Sequence, residues 1–170
     1  MNLKFDVKMT AKDLYKYNLR NAYTGMQGIL SILFAILVIF VFIWKFDALT
    51  LVYKLLFIAL AVAFLVYIPI SLYLRTKQVM ANTPVFKEPL TFIFEDEQIR
   101  IESPVEVEDA QGVLPWEDVY RVTKTSSQIL IYTNRVSAYI IPRDQITDVE
   151  PQLIEILKAK VEDFKLRGIK

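Results

Sequence analysis

Between Gly25 and Arg75 the chain carries two long apolar runs, Gly25–Trp44 and Leu55–Leu74, separated by a short connection. Each holds about 20 residues, and at ~1.5 Å per helical residue that length matches a hydrocarbon core of ~30 Å. A run this long without charge, followed at once by a second, suits lipid better than the interior of a small soluble protein. The expectation is a two-helix transmembrane hairpin over 25–75, and every other segment is placed relative to it.

The flanks agree with that expectation. Trp44, Phe46 and Tyr53 gather at the connection and Tyr23 and Tyr73 at the opposite ends, as in an interfacial aromatic belt. Lys4, Lys8, Lys12, Lys16 and Arg20 precede the first run, and Arg75, Lys77 and Lys87 follow the second. The connection offers only Lys45 and Lys54. This asymmetry predicts a multi-pass membrane protein with both termini in the cytoplasm. Ser31/Ala35 and Ala59/Ala63 have the spacing that lets helices approach closely, and Pro69 removes one backbone donor. No ionisable side chain lies mid-run, so the hairpin reads as an anchor rather than an ion path. The alternative, a subunit of a small oligomeric transporter or channel, would draw on Gln27, Ser31, Tyr67 and Ser71.

Charge and composition narrow the chemistry. Residues 1–24 hold five basic and two acidic residues, whereas residues 76–170 hold 12 Lys/Arg against 16 Asp/Glu. An acidic soluble portion argues against nucleic acid. There is no cysteine and no histidine, which removes disulfides, thiol chemistry, His/Cys zinc sites and Ser–His or Cys–His nucleophile pairs. The reading is non-enzymatic, with no cofactor and no metal. A carboxylate-dependent enzyme would need Glu106, Glu108 and Asp109 to converge with Glu117; Glu95-Asp96-Glu97 reads as a polar hairpin turn.

In chain order, residues 1–24 predict a strand, with Leu3, Phe5, Val7 and Met9 alternating, then a juxtamembrane helix from Ala11 to about Tyr23. Thr10 and Asp13 have capping-box spacing at its start. Residues 76–89 read as a linker containing Pro84 and Pro89. Residues 90–170 read as a soluble β domain: strands at Leu90–Phe94, Ile99–Ser103, Gly112–Pro115, Val119–Lys124, Gln128–Thr133 and Val136–Ile141, separated by polar turns. A closing helix is capped by Thr147 or Asp148, takes Pro151 in its first turn, and lines up Leu153, Leu157, Val161 and Phe164. The fold class is therefore membrane α+β, a transmembrane hairpin plus a curved antiparallel sheet capped by a helix. Whether the strand at Leu3–Met9 joins that sheet is left open; if it does, the hairpin is an insertion into the soluble fold. Trp116 beside Pro115 reads as a core anchor at a bend, and Arg121, Lys124, Arg135 and Arg143 are candidate contacts for a partner or an anionic headgroup, unless they are merely solvated.

Phe92-Ile93-Phe94-Glu95-Asp96-Glu97-Gln98-Ile99, Leu114-Pro115-Trp116-Glu117-Asp118-Val119 with Val122, and Ile140-Ile141-Pro142-Arg143 resemble the YcxB-like family of small bacterial membrane proteins. The order of parts matches too, and the Pro115–Asp118 turn resembles that of bacterial pleckstrin-homology-like (PH-like) domains. The resemblance implies a rolled sheet closed by a helix in a bacterial cell membrane, and it carries no catalytic residues. The sequence departs from it in the long acidic run Val105–Asp109. The expected function is a membrane-anchored PH-like interaction module whose partners are the bilayer, a membrane protein or a second copy of the chain; the sequence names no small-molecule ligand.

Overall fold

The computed structural model describes residues 3–104 and 112–169, apart from the side chain of Gln27. The acidic run Val105–Asp109, with Glu106, Glu108 and Asp109, falls outside them. Among the described residues the chain is α+β, with four α-helices and two four-stranded sheets. Its contacts divide it into two compact units, one made of Met1–Leu14 with Val79–Lys170 and the other of Tyr15–Gln78.

The first unit begins with β1 (Leu3–Val7), whose alternation buries Leu3 and Val7 and half-buries Phe5. β1 pairs antiparallel with β2 (Leu90–Phe94) over five residues, from Leu3↔Phe94 to Val7↔Leu90. The open question about Leu3–Met9 is thereby answered: the amino-terminal strand pairs into the sheet of β2, and the apolar helices lie between the two strands in the chain. β2 continues through the turn Glu95–Glu97 into β3 (Gln98–Glu102), which pairs with β4 (Gly112–Pro115), giving the order β1-β2-β3-β4.

The second sheet has the order β7-β6-β5-β8, built from β5 (Arg121–Lys124), β6 (Gln128–Tyr132), β7 (Ala138–Pro142) and β8 (Leu166–Arg167). Two sheets thus replace the single curved sheet expected. The reason is local: Trp116–Asp118 forms a tight 3-10 turn that redirects the chain between β4 and β5. β8 was not foreseen, and it pairs with β5 in the parallel sense.

Phe92, Phe94, Ile99, Ile101, Val122, Ile129, Ile131 and Ile141 fill the core, with Leu153, Ile156 and Leu157 of α4 (Glu150–Lys160). Each such side chain fully removed from water is worth about 1.5–3 kcal/mol. Trp116 is buried among them, and its indole N–H donates to the Glu95 carbonyl at 3.1 Å. Two expectations about α4 fail. Its N-cap is Val149, with no side-chain cap, because the first helical amides find the Ile146 and Val149 carbonyls. Phe164 does not extend the apolar stripe: the helix stops at Lys160, Val161 turns to extended backbone, and Phe164 is 76% exposed.

The second unit contains most of α1 (Ala11–Thr24), all of α2 (Met26–Trp44) and most of α3 (Leu51–Asn82). Thr10 begins α1 much as the spacing predicts: its hydroxyl accepts from the Asp13 amide at 3.2 Å and also bonds the Asp13 carboxylate. Gly28 lets α2 start close against the end of α1, since a Cβ there would stand 2.1 Å from the Ala22 carbonyl oxygen. α2 and α3 meet through Phe34–Phe64 and Phe42–Phe57, with ring centroids 4.9 and 6.0 Å apart. Asn18 donates to Thr76 at 3.3 Å, and Tyr15 packs edge-on to Tyr73. α3 is long and apolar enough to cross a membrane, and α1 with α2 passes the same test only as a pair bent by 67°. Helix persists to Asn82, so the stretch read as a linker starts later than expected.

Candidate functional site

The four basic residues singled out in the sequence fall into two pairs. β5 sets them apart: Arg121 stands opposite Tyr132 and Lys124 opposite Ile129, three residues or about 10 Å along the strand. Lys124 belongs to the end that turns through Thr125–Ser127, and the Arg143 amide donates to the Ser127 carbonyl at that same end. Arg135 lies in the turn between β6 and β7, beside the end that holds Arg121.

Lys124 and Arg143 meet on a carboxylate that sequence reasoning missed. Glu150, in the first turn of α4, accepts from Arg143 Nε at 2.9 and 3.0 Å through its two oxygens. Arg143 Nη2 reaches Glu150 Oε1 at 2.8 Å, and Lys124 Nζ reaches the same oxygen at 2.9 Å. Arg143 Nη1 also donates to the carbonyls of Thr125 and Ser126, at 3.1 and 3.0 Å. Desolvation pushes the Glu150 carboxyl up, but the hydrogen bonds and charges of Arg143 and Lys124 outweigh it and hold the group below its ordinary value. This is a structural clamp joining the β5–β6 turn, the end of β7 and the start of α4. An open hollow of about 510 Å³ beside it is lined by Lys124, Thr147, Glu150, Ile154, Glu155 and Lys158, a mixed-charge wall.

The other pair is less committed. The Arg121 guanidinium lies 4.2 Å from the Tyr132 ring centroid, a cation–π stack. Its Nε is buried with no hydrogen-bond partner among the described residues. Arg135 is exposed on a turn ordered by Asn134, whose side-chain oxygen accepts from the Val136 and Ser137 amides at 2.9 and 2.8 Å. Tyr120 and Val136, at the same end of the sheet, are 46% and 69% exposed.

Two glutamines tie the stretch after β1 to the rest of the first unit, and nothing in the sequence pattern marked them. Gln128, 2% exposed, donates through Nε2 to the Asp13 carbonyl at 2.8 Å. Gln145 accepts from the Lys8 amide and donates to the Lys8 carbonyl, both at 2.8 Å, as a neighbouring strand would.

Burial pushes the Tyr139 phenol above its ordinary value. Among the described residues no group of three or more carboxylates is placed to hold a metal ion. Of the polar residues within the apolar runs, Ser71 donates to the Ile68 carbonyl of its own helix, while Ser31 and Tyr67 line an apolar hollow of about 390 Å³ with Ala63 and Phe64.

These features define an α+β chain in which a two-sheet β unit, closed by a helix, carries an apolar helical insertion in its β1–β2 connection. Residues 94–157, from the end of β2 into α4, match the model of the YcxB-like protein family, so that stretch is similar to this family. No curated protein and no solved structure matches the chain.

Proposed function

We propose that the chain is a membrane-anchored, non-enzymatic interaction module. In this reading α2 and α3 both cross a bacterial cell membrane, both termini lie in the cytoplasm, and the β unit is a PH-like domain that binds a protein partner or the membrane surface. The observation that carries it is the pairing of β1 with β2 across the apolar helices, which builds the root of the anchor into the sheet itself. Ile29, Leu33, Ile36, Phe40 and Ile43 on α2 and Leu55, Ile58, Val62 and Leu65 on α3 are all exposed, an apolar surface that water would penalise. The resemblance of Pro115–Asp118 to the PH-like turn, with two sheets and a closing helix, supports the domain assignment.

The absence of cysteine makes a direct experiment available. Asp47→Cys and Glu155→Cys, both at exposed positions, are labelled with a membrane-impermeant maleimide on intact cells. Label at 47 and only after permeabilisation at 155 is expected; label at 155 on intact cells overturns the orientation. A photo-crosslinking residue at Arg135 then reads the binding surface in the full chain. A lipid adduct or a protein adduct of discrete mass supports the module, and no adduct above that at Glu155 removes this surface.

A further inference from the structure

Arg121 carries a charge that no described carboxylate answers. Elsewhere in the β unit cations meet acids: Lys124 and Arg143 share Glu150, Arg100 holds Glu95, and Lys160 reaches Asp96. Among the described residues the Arg121 guanidinium makes no ion pair and no hydrogen bond, although Glu117 and Asp118 stand just before it in the chain. Its place is nevertheless fixed. Tyr132 faces it in register from the neighbouring strand, is 1% exposed, and holds its ring 4.2 Å from the guanidinium, which sets the plane of the fork. Nε is buried there without an acceptor, and a charged donor taken out of water is costly until an acceptor replaces that water. Arg135 brings a second charge to the same end of the sheet. It is exposed on the turn that follows Tyr132, the turn is held by Asn134, and among the described residues it too has no ion pair.

We infer that Arg121 and Arg135 form a receptor for a phosphate group. The ligand class follows from the donors. The Nε edge of a guanidinium offers two parallel N–H groups that match two oxygens of one anion, a fit that lysine cannot copy. A phosphate has a further oxygen for the second arginine, and a phosphate monoester carries a charge of about −1.5 to −2 that balances both cations. Tyr120 and Val136, both exposed at this end of the sheet, favour a phosphate carried at a lipid surface over one free in solution. An aromatic ring and an aliphatic side chain beside two cations suit the headgroup layer, which water alone does not. The inference deepens the interaction-module reading and rests on it. The labelling experiment at Asp47 and Glu155 tests the topology of that reading separately, so the two can fail independently.

The test uses the full-length chain in an uncharged detergent and counts bound lipid by native mass spectrometry. Phosphatidic acid is titrated against a diacylglycerol with the same tails, which differs only in lacking the phosphate. Phosphatidic acid should bind and the diacylglycerol should not. Arg121→Lys, which keeps the charge and removes the fork, and Arg135→Gln, on an exposed turn, should each weaken phosphatidic acid about tenfold. Lys158→Gln, an exposed cation on α4, should leave it unchanged. The urea midpoint of each variant shows that the fold is retained, and Arg135→Gln carries the test if Arg121→Lys unfolds. Inorganic phosphate that displaces phosphatidic acid at equal concentration supports the receptor and makes its source soluble; displacement only by a large excess supports the lipid source. Equal binding of the two lipids, or phosphatidic acid binding that Arg121→Lys and Arg135→Gln leave intact, overturns the inference. A protein adduct from the photo-crosslinker at Arg135, in a chain that binds no phosphate, overturns it in favour of a protein partner.

Discussion

Glu150 shows how one side chain fixes the arrangement of three segments. Its two oxygens collect Arg143 and Lys124, and through Arg143 the carbonyls of Thr125 and Ser126, so α4, the end of β7 and the β5–β6 turn share one charge. Its carboxyl is held below the ordinary value, so the unfolded chain binds its proton more readily than the folded one. The stability it contributes is therefore complete above the unfolded value of about 4.3 and is lost as pH falls through the lower folded value. Glu150→Gln should cost about 1–2 kcal/mol at neutral pH, discounted for solvent screening of the partly exposed cations. Urea denaturation at pH 7 and pH 3 checks this: the gap between variant and wild type should narrow in acid, and an undiminished gap would refute the assignment. The cations of this clamp were legible in the sequence as a basic set, but their partner was not. Glu150 lies seven residues from Arg143 and far from Lys124, and at the start of a helix it reads only as a favourable dipole contact.

At the scale of elements, alternation was a dependable guide and helical periodicity overran. The alternating residues of β1 and of the β2–β3 hairpin point to the sides their spacing predicts because one face of each strand is buried. The spacing of Leu153, Leu157, Val161 and Phe164 continues past the real helix end, since periodicity cannot register that β5 requires a neighbour and draws the chain out of the helix to supply one. β1 itself was visible, but its pairing was not, because its partner lies more than eighty residues away. Leu3→Ala tests that pairing. Leu3 is 7% exposed and belongs to the core, beside the stack of Phe5 on Phe92 and Phe94. The substitution should lower stability by about 2–3 kcal/mol and speed amide exchange in β2. A shift of the urea midpoint equivalent to less than about 0.5 kcal/mol would mean that the strand adds little to the sheet.

For the whole molecule, the division into units cuts across the order of the chain. Apolar runs revealed where the insertion lies, and composition changed abruptly at its far end, yet its starting edge was hidden because α1 runs without a break from one unit into the other. The β unit therefore cannot be obtained by cutting the chain after the helices. A fragment of residues 85–170 lacks β1 and leaves β2 as a bare apolar edge, a template for aggregation. Joining Met1–Leu14 to Val79–Lys170 through about 12 Gly/Ser residues, with a typical reach of about 19 Å, keeps β1 beside β2 and retains the Gln128–Asp13 and Gln145–Lys8 hydrogen bonds. This excised unit should be soluble without detergent and unfold cooperatively in urea, whereas the 85–170 fragment should aggregate. The exposed apolar faces of α2 and α3 leave with the insertion. Sedimentation and amide exchange of the two proteins separate the possibilities. If the excised unit still needs detergent, the β sheets depend on the inserted helices, and the insertion is part of the fold's core rather than an addition to it.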